Sequence, residues 1–160
     1  MTSSIVIRSI KVPGRSGKAR IYRRVRDHLV ALIAGESDPV AIMATISCEL
    51  FHAFPHFHWV GFYRLVNPAT LKVGPYQGSH GCLSISLDRG VCGKCARERR
   101  VQIENDVRRT PHHIACSAET MAEIVLPVFD RDNRLCAVLD IDATVPDCFD
   151  DTDVRYLQLF

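Results

Sequence analysis

Two apolar runs, AEIVLPVFD and RLCAVLDIDA, meet at the polar turn Arg131-Asp132-Asn133-Arg134. Apolar, β-branched runs bounded by so short a turn pair with each other as an antiparallel hairpin. The hairpin also decides where charge goes. Asp140 and Asp142 are two residues apart, so they project from one face of their strand. Glu123 begins the neighbouring strand and can complete a three-carboxylate pocket. Like charges brought together push one pKa up, and such a group can bind a cation or act as a general acid. Solvation at a strand end is the plainer reading of the same spacing.

The rest of the chain builds an α+β frame around that hairpin. Residues 19–33 place Ile21, Val25, Leu29 and Ile33 at helical spacing with Leu32 beside them, and Gly35 stops the helix. Asp38-Pro39 supplies a cap and a first-turn proline for a second helix, with Ile42, Ile46, Leu50 and Phe54 as its buried stripe. Cys48, within that helix, reads as a small buried hydrophobe. HWVGFYRLV and LKVGPYQG form a hairpin around Asn67-Pro68-Ala69-Thr70, and CLSISL (82–87) alternates as a further strand. Residues 91–98 read as a short helix, VQIEND as a short strand and 107–120 as a long loop. Asp150-Asp151-Thr152 caps a last helix. The expected architecture is a central antiparallel sheet with helices packed mainly on one face.

At 160 residues the chain fits one domain. The first 26 residues hold eight Lys/Arg and no Asp or Glu, so the remainder is mildly acidic. That balance gives no argument for nucleic acid. Residues 1–18 read as a flexible basic extension, with an organellar presequence or an edge strand as alternatives, and 19–160 as the domain. No run reaches the roughly 18 apolar residues of a membrane span. Seven unevenly spaced cysteines, with no secretory h-region, point to a reducing, cytoplasmic setting.

Cys82, Cys92 and Cys116 each stand where a strand or loop meets a turn, which suits thiol–disulfide chemistry between separate loops. Cys92 and Cys95 form a CxxC, but no second CxxC accompanies it. Cys92, near a helix N-terminus, should have its thiolate favoured by the dipole. Cys95, one turn further in, reads as structural. His112 and His113 precede Cys116 and can lower its pKa. His52 and His56 have HxxxH spacing, yet Pro55 breaks the helix that would align them. No metal and no cofactor is expected. His28, His58 and His80 show no ligand spacing. Trp59 and Tyr63, four apart in a strand, share a face, as a core stripe or a pocket wall.

With HWVGFY (58–63), GPYQG (74–78), RGVCG (89–93), HIAC (113–116), EIVLP (123–127) and VLDID (138–142) in that order, the chain resembles the free methionine-(R)-sulfoxide reductases, a GAF-domain family. The match runs from about Ile21 to Phe160. The resemblance implies Cys116 as catalytic thiol, Cys82 as main resolving thiol and Cys92 as the third family cysteine. It implies Glu123, Asp140 and Asp142 as substrate contacts, with Trp59 and Tyr63 lining the pocket. It implies reduction of free methionine-(R)-sulfoxide through a sulfenic acid and an intramolecular disulfide, recycled by thioredoxin, and allows a homodimer. Cys48, Cys95, Cys136 and Cys148 are additional to the family trio, and the last helix stops early. A ligand-binding GAF sensor and a zinc module built on Cys92 and Cys95 are the alternatives.

Overall fold

The computed structural model describes residues 10–109 and 117–160. The expectations for the basic segment before Ile10, and for His112, His113 and Cys116, lie outside those residues. The elements are α1 (Arg15–Leu32), α2 (Pro39–Ala53), β1 (Phe57–Asn67), β2 (Thr70–Gly78), β3 (Ser84–Ser86), α3 (Gly90–Glu98), β4 (Gln102–Glu104), a 3₁₀ turn (Val107–Arg109), β5 (Ala122–Phe129), β6 (Leu135–Ala143) and α4 (Asp151–Leu157).

The strands make one antiparallel sheet in the order β3-β2-β1-β6-β5-β4. This is the α+β class expected, built on a central antiparallel sheet. The β5–β6 turn closes through Asn133, whose positive φ of 59° suits asparagine, while the Asp130 carboxylate accepts from the amides of Asp132 and Arg134. The strand expected over 82–87 shrinks to Ser84–Ser86, and Leu83 is exposed.

The sheet separates two apolar clusters. On one side α1, α2 and α4 bury Tyr22, Leu50, Phe54, Phe57 and Phe149 against Val60, Ile124 and Ile141. On the other, α3 covers Trp59, Tyr63, Val125 and Val138. The connection β3–α3–β4 runs from one edge of the sheet to the other, and α3 contacts β3, β4, β5 and β6 on the way. That crossover creates the site.

The first helix differs from the sequence-based expectation in extent and in phase. It begins at Arg15, just after Pro13 and Gly14, and its buried residues are Lys18, Tyr22, Val25 and Leu29, while Leu32 is exposed. Tyr22 takes the centre of the interface because its hydroxyl donates to Asp153 at 2.8 Å while its ring stacks on Tyr156. Lys18, assigned by sequence to the flexible extension, is only 2% exposed and pairs with Asp153 and with Asp150 at 3.1 Å. The second helix follows expectation: the Asp38 carboxylate accepts from the Val40 amide at 2.7 Å with Pro39 in the first turn. Cys48 is only half-buried there, with its sulfur 3.7 Å from His52 Nδ1. α4 carries a full capping box between Asp150 and Asp153.

Candidate functional site

Register assembles the carboxylates. Glu123 on β5 lies opposite Asp142 on β6, and Asp142 lies opposite Trp59 on β1. The next row on the same face is Val125, Asp140 and Gly61. A pocket opens between this face and α3, lined by Glu123, Asp140, Asp142, Cys92, Trp59 and Tyr63. Sequence alone placed the two aspartates on one face and offered Glu123 from the neighbouring strand; pairing sets it directly opposite Asp142.

Burial then sets the chemistry. Asp140 and Glu123 are each 6% exposed. Burial raises the Asp140 pKa well above the usual carboxylate range, and the charges of Asp142 and Glu123 raise it further. Asp142 is raised by burial and by Glu123. These carboxyls therefore hold protons at pH values where an ordinary carboxylate is ionised.

Cys92 departs from its sequence-based expectation. It does sit in the first turn of α3, but its thiol is pushed far up, by burial first and then by Asp140, Glu123 and Asp142. The dipole of a nine-residue helix cannot offset desolvation next to three carboxyls. Its Sγ lies 4.0 Å from Glu123 Oε1. Cys95 is fully buried, bonded to the Val125 carbonyl at 3.6 Å and pushed up to about 12 by burial. Both CxxC sulfurs thus face the sheet. Gly93 lets α3 close against the end of β3, since a Cβ there would meet the Leu87 and Ser86 carbonyls at 2.7 and 2.8 Å.

The aromatic residues do more than wall the pocket. Tyr63, Trp59 and Tyr76 stack in series, with centroids 5.5 and 5.3 Å apart. Gly61 makes room for the stack: a Cβ would fall 2.3 Å from that of Tyr76. The Trp59 indole N–H donates to the Ser79 carbonyl at 3.1 Å, and the Cys82 backbone hydrogen-bonds the Tyr63 hydroxyl. The two rings therefore tether the loop that carries Cys82. Cys82 is disulfide-bonded, whereas Cys48, Cys92, Cys95, Cys136 and Cys148 are free thiols. Ser117, which follows Cys116 in sequence, lines the pocket.

Three participants escaped the sequence reading. His80 and Thr120 line the pocket, and His58 Nε2 holds the Thr120 hydroxyl at 3.0 Å. No spacing marked them: His80 and Thr120 lie between the strands and helices, and His58 stands in the β1 run without a partner at ligand spacing. His52 and His56 are not brought together as ligands: His52 faces Cys48 on α2, and His56 is buried against Phe54 and Phe57.

The GAF domain family model matches residues 36–160. The free methionine-R-sulfoxide reductase of Escherichia coli is 39% identical over 141 residues, covering 88% of this chain and 84% of that protein. The yeast (Saccharomyces cerevisiae) enzyme of the same name is 35% identical, covering 78% of this chain and 72% of that protein. The structure of the Neisseria meningitidis free methionine-R-sulfoxide reductase in complex with its substrate superposes with a TM-score of 0.83 at 37% identity, covering 94% of this chain and 89% of that one. The chain belongs to the GAF domain family, in the group that contains the free methionine-R-sulfoxide reductases.

Proposed function

We propose that the pocket under α3 reduces free methionine-(R)-sulfoxide to methionine, with Cys116 as the attacking thiol and Cys82 as the resolving thiol. The observation that carries this reading is the buried trio of Glu123, Asp140 and Asp142 beside Trp59 and Tyr63. A sulfoxide sulfur becomes electrophilic once its oxygen accepts a proton. A carboxylic acid kept neutral by burial and like charge is a suitable donor, and Asp140, the better buried of the two aspartates, takes that part. Glu123 and Asp142 then pair with the α-ammonium, whose positive charge favours their ionised forms on binding and is a charge that a methionine inside a polypeptide lacks.

The Cys116 thiolate attacks the protonated sulfoxide at sulfur; the oxygen then transfers to the cysteine sulfur as both of its bonds to the substrate sulfur give way, leaving a sulfenic acid on Cys116 and releasing methionine as the reduced thioether. The Cys82 thiol condenses with the sulfenic acid, forming the disulfide and releasing water. Thioredoxin or a similar dithiol returns both thiols. The disulfide-bonded state of Cys82 beside the pocket, with Cys92 and Cys95 remaining as free thiols, supports this pairing. Cys92, buried among carboxyls, serves as a reserve thiol.

The deciding experiment adds free methionine-(R)-sulfoxide to the reduced protein and counts thiols and methionine. Thiol loss and methionine release in step are expected, with the N-acetylated sulfoxide a poor substrate. Cys116→Ser should abolish release, and Cys82→Ser should release about one methionine per chain and then stall. If no thiol is consumed, the pocket binds a ligand without thiol chemistry and the reading fails.

A further inference from the structure

We propose that Cys92, Glu123 and Asp140 form a binding site for a thiophilic divalent cation such as Zn²⁺, and that a cation held there excludes the substrate. The Cys92 sulfur and one carboxylate oxygen from each of Glu123 and Asp140 lie within 4.8 Å of one another. All three residues are buried and all three line the pocket, so an ion entering by the substrate's route reaches them. Asp140 supplies the second, independent indication. Its Oδ1 is buried with no hydrogen-bond partner, in a residue only 6% exposed. A buried acceptor of this kind costs about 1–3 kcal/mol unless something fills its lone pair.

The donor set selects the cation. One sulfur and two carboxylate oxygens suit Zn²⁺, which accepts mixed ligands in tetrahedral geometry and keeps a fourth position open. Mg²⁺ and Ca²⁺ prefer all-oxygen shells and gain little from a thiol. A fourth position is left to water from the pocket that all three residues line. Binding sends the thiol proton to solvent and neutralises like charges that otherwise repel. The ligands come from β5, β6 and α3, with β5 and β6 paired along their length and α3 packed against both, and their donor atoms already lie within 4.8 Å of one another. Only the inhibition rests on the proposed substrate; the binding does not.

The test uses the full chain with Cys82 in its disulfide state, titrated with Co²⁺ as a coloured stand-in for Zn²⁺. A thiolate-to-cobalt charge-transfer band should grow to saturation and be erased by added Zn²⁺. Cys92→Ser should abolish it, and Asp140→Asn or Glu123→Gln should weaken binding by about tenfold or more. Cys48→Ala, on the opposite side of the sheet, should change nothing. Zn²⁺ should inhibit turnover competitively, with recovery on chelation. A missing band, or one that survives Cys92→Ser, overturns the site, and Asp140→Asn decides the matter should the serine variant fail to fold. Cation binding without competition against the sulfoxide would leave the site standing and remove the exclusion, whereas turnover failing in the absence of metal bears only on the assigned substrate.

Discussion

Under α1, α2 and α4, the buried carboxylate of Asp153 lies against the Lys18 ammonium and the Tyr22 hydroxyl. Under α3, Asp140 and Asp142 lie against each other, Glu123 and a thiol. Both faces bury aspartate almost completely, with Asp153 1% and Asp140 6% exposed. The first face supplies donors and a cation, which lock α1 to α4. The second supplies burial and like charge, so its carboxyls keep protons that they can give away. A compensated buried acid locks elements together, whereas an uncompensated one keeps its proton to higher pH.

The strongest way to break this contrast is Asp140→Asn. We expect kcat on free methionine-(R)-sulfoxide to fall by about 10²–10⁴-fold, as for loss of a general acid, with thermal stability unchanged or raised. Asp142→Asn should mainly raise KM, by about 1.5–3 kcal/mol of lost charged hydrogen bonding. Wild-type turnover by the Asp140 variant would remove the proton-donor role.

Lys18→Met tests the other face. Leaving Asp153 buried without its cation should cost about 3–5 kcal/mol in urea unfolding, with kcat per folded molecule preserved. A loss below about 1 kcal/mol would mean that the pair is only surface-like in strength.

pH separates the two faces by sign. Burial, aided by Lys18, lowers the His56 pKa from 6.5 to about 4. Between those values the unfolded chain holds a proton that the folded chain refuses, so stability is full above about 6.5 and is lost as pH falls. The limit is on the order of 3 kcal/mol. Asp140 and Asp142 behave oppositely: the folded chain keeps protons that the unfolded chain gives up above about 3.9, so stability is lost as pH rises from there. His56→Phe should flatten the rise between pH 4 and 6.5, and Asp140→Asn should steepen it. Parallel unfolding midpoints for His56→Phe and wild type across that range would contradict the buried neutral imidazole.

The smallest effect is expected at Cys95, which shares the pocket face but bonds to the Val125 carbonyl. Cys95→Ala should leave thioredoxin-supported turnover within a few-fold. A fall of about a hundredfold, with the fold intact by circular dichroism, would make Cys92 and Cys95 a working dithiol.

Much of the frame was legible locally. The β5–β6 hairpin, the Asp38-Pro39 start of α2 and the shared face of Asp140 and Asp142 follow from turn residues and from a period of two, which are properties of neighbouring residues. The phase of α1 was less legible, because Lys18 and Tyr22 look polar until Asp150 and Asp153 arrive from the other end of the chain. The ordered motifs from HWVGFY to VLDID carried the family.

By itself, then, the sequence determined the order of the elements, the caps, the alternation that aims two aspartates one way, and the stock of thiols. Tertiary structure decided that Glu123 lies opposite Asp142, that α3 crosses the sheet to place Cys92 over the carboxyls, and that Trp59 and Tyr63 hold the Cys82 loop. It also reversed the character expected of Cys92. A helix N-terminus is visible in sequence and favours a thiolate; desolvation and three facing carboxyls come from other elements, and their combined effect is larger. Periodicity is encoded by adjacent residues, whereas the sign of a pKa shift is a sum over neighbours that only folding brings near.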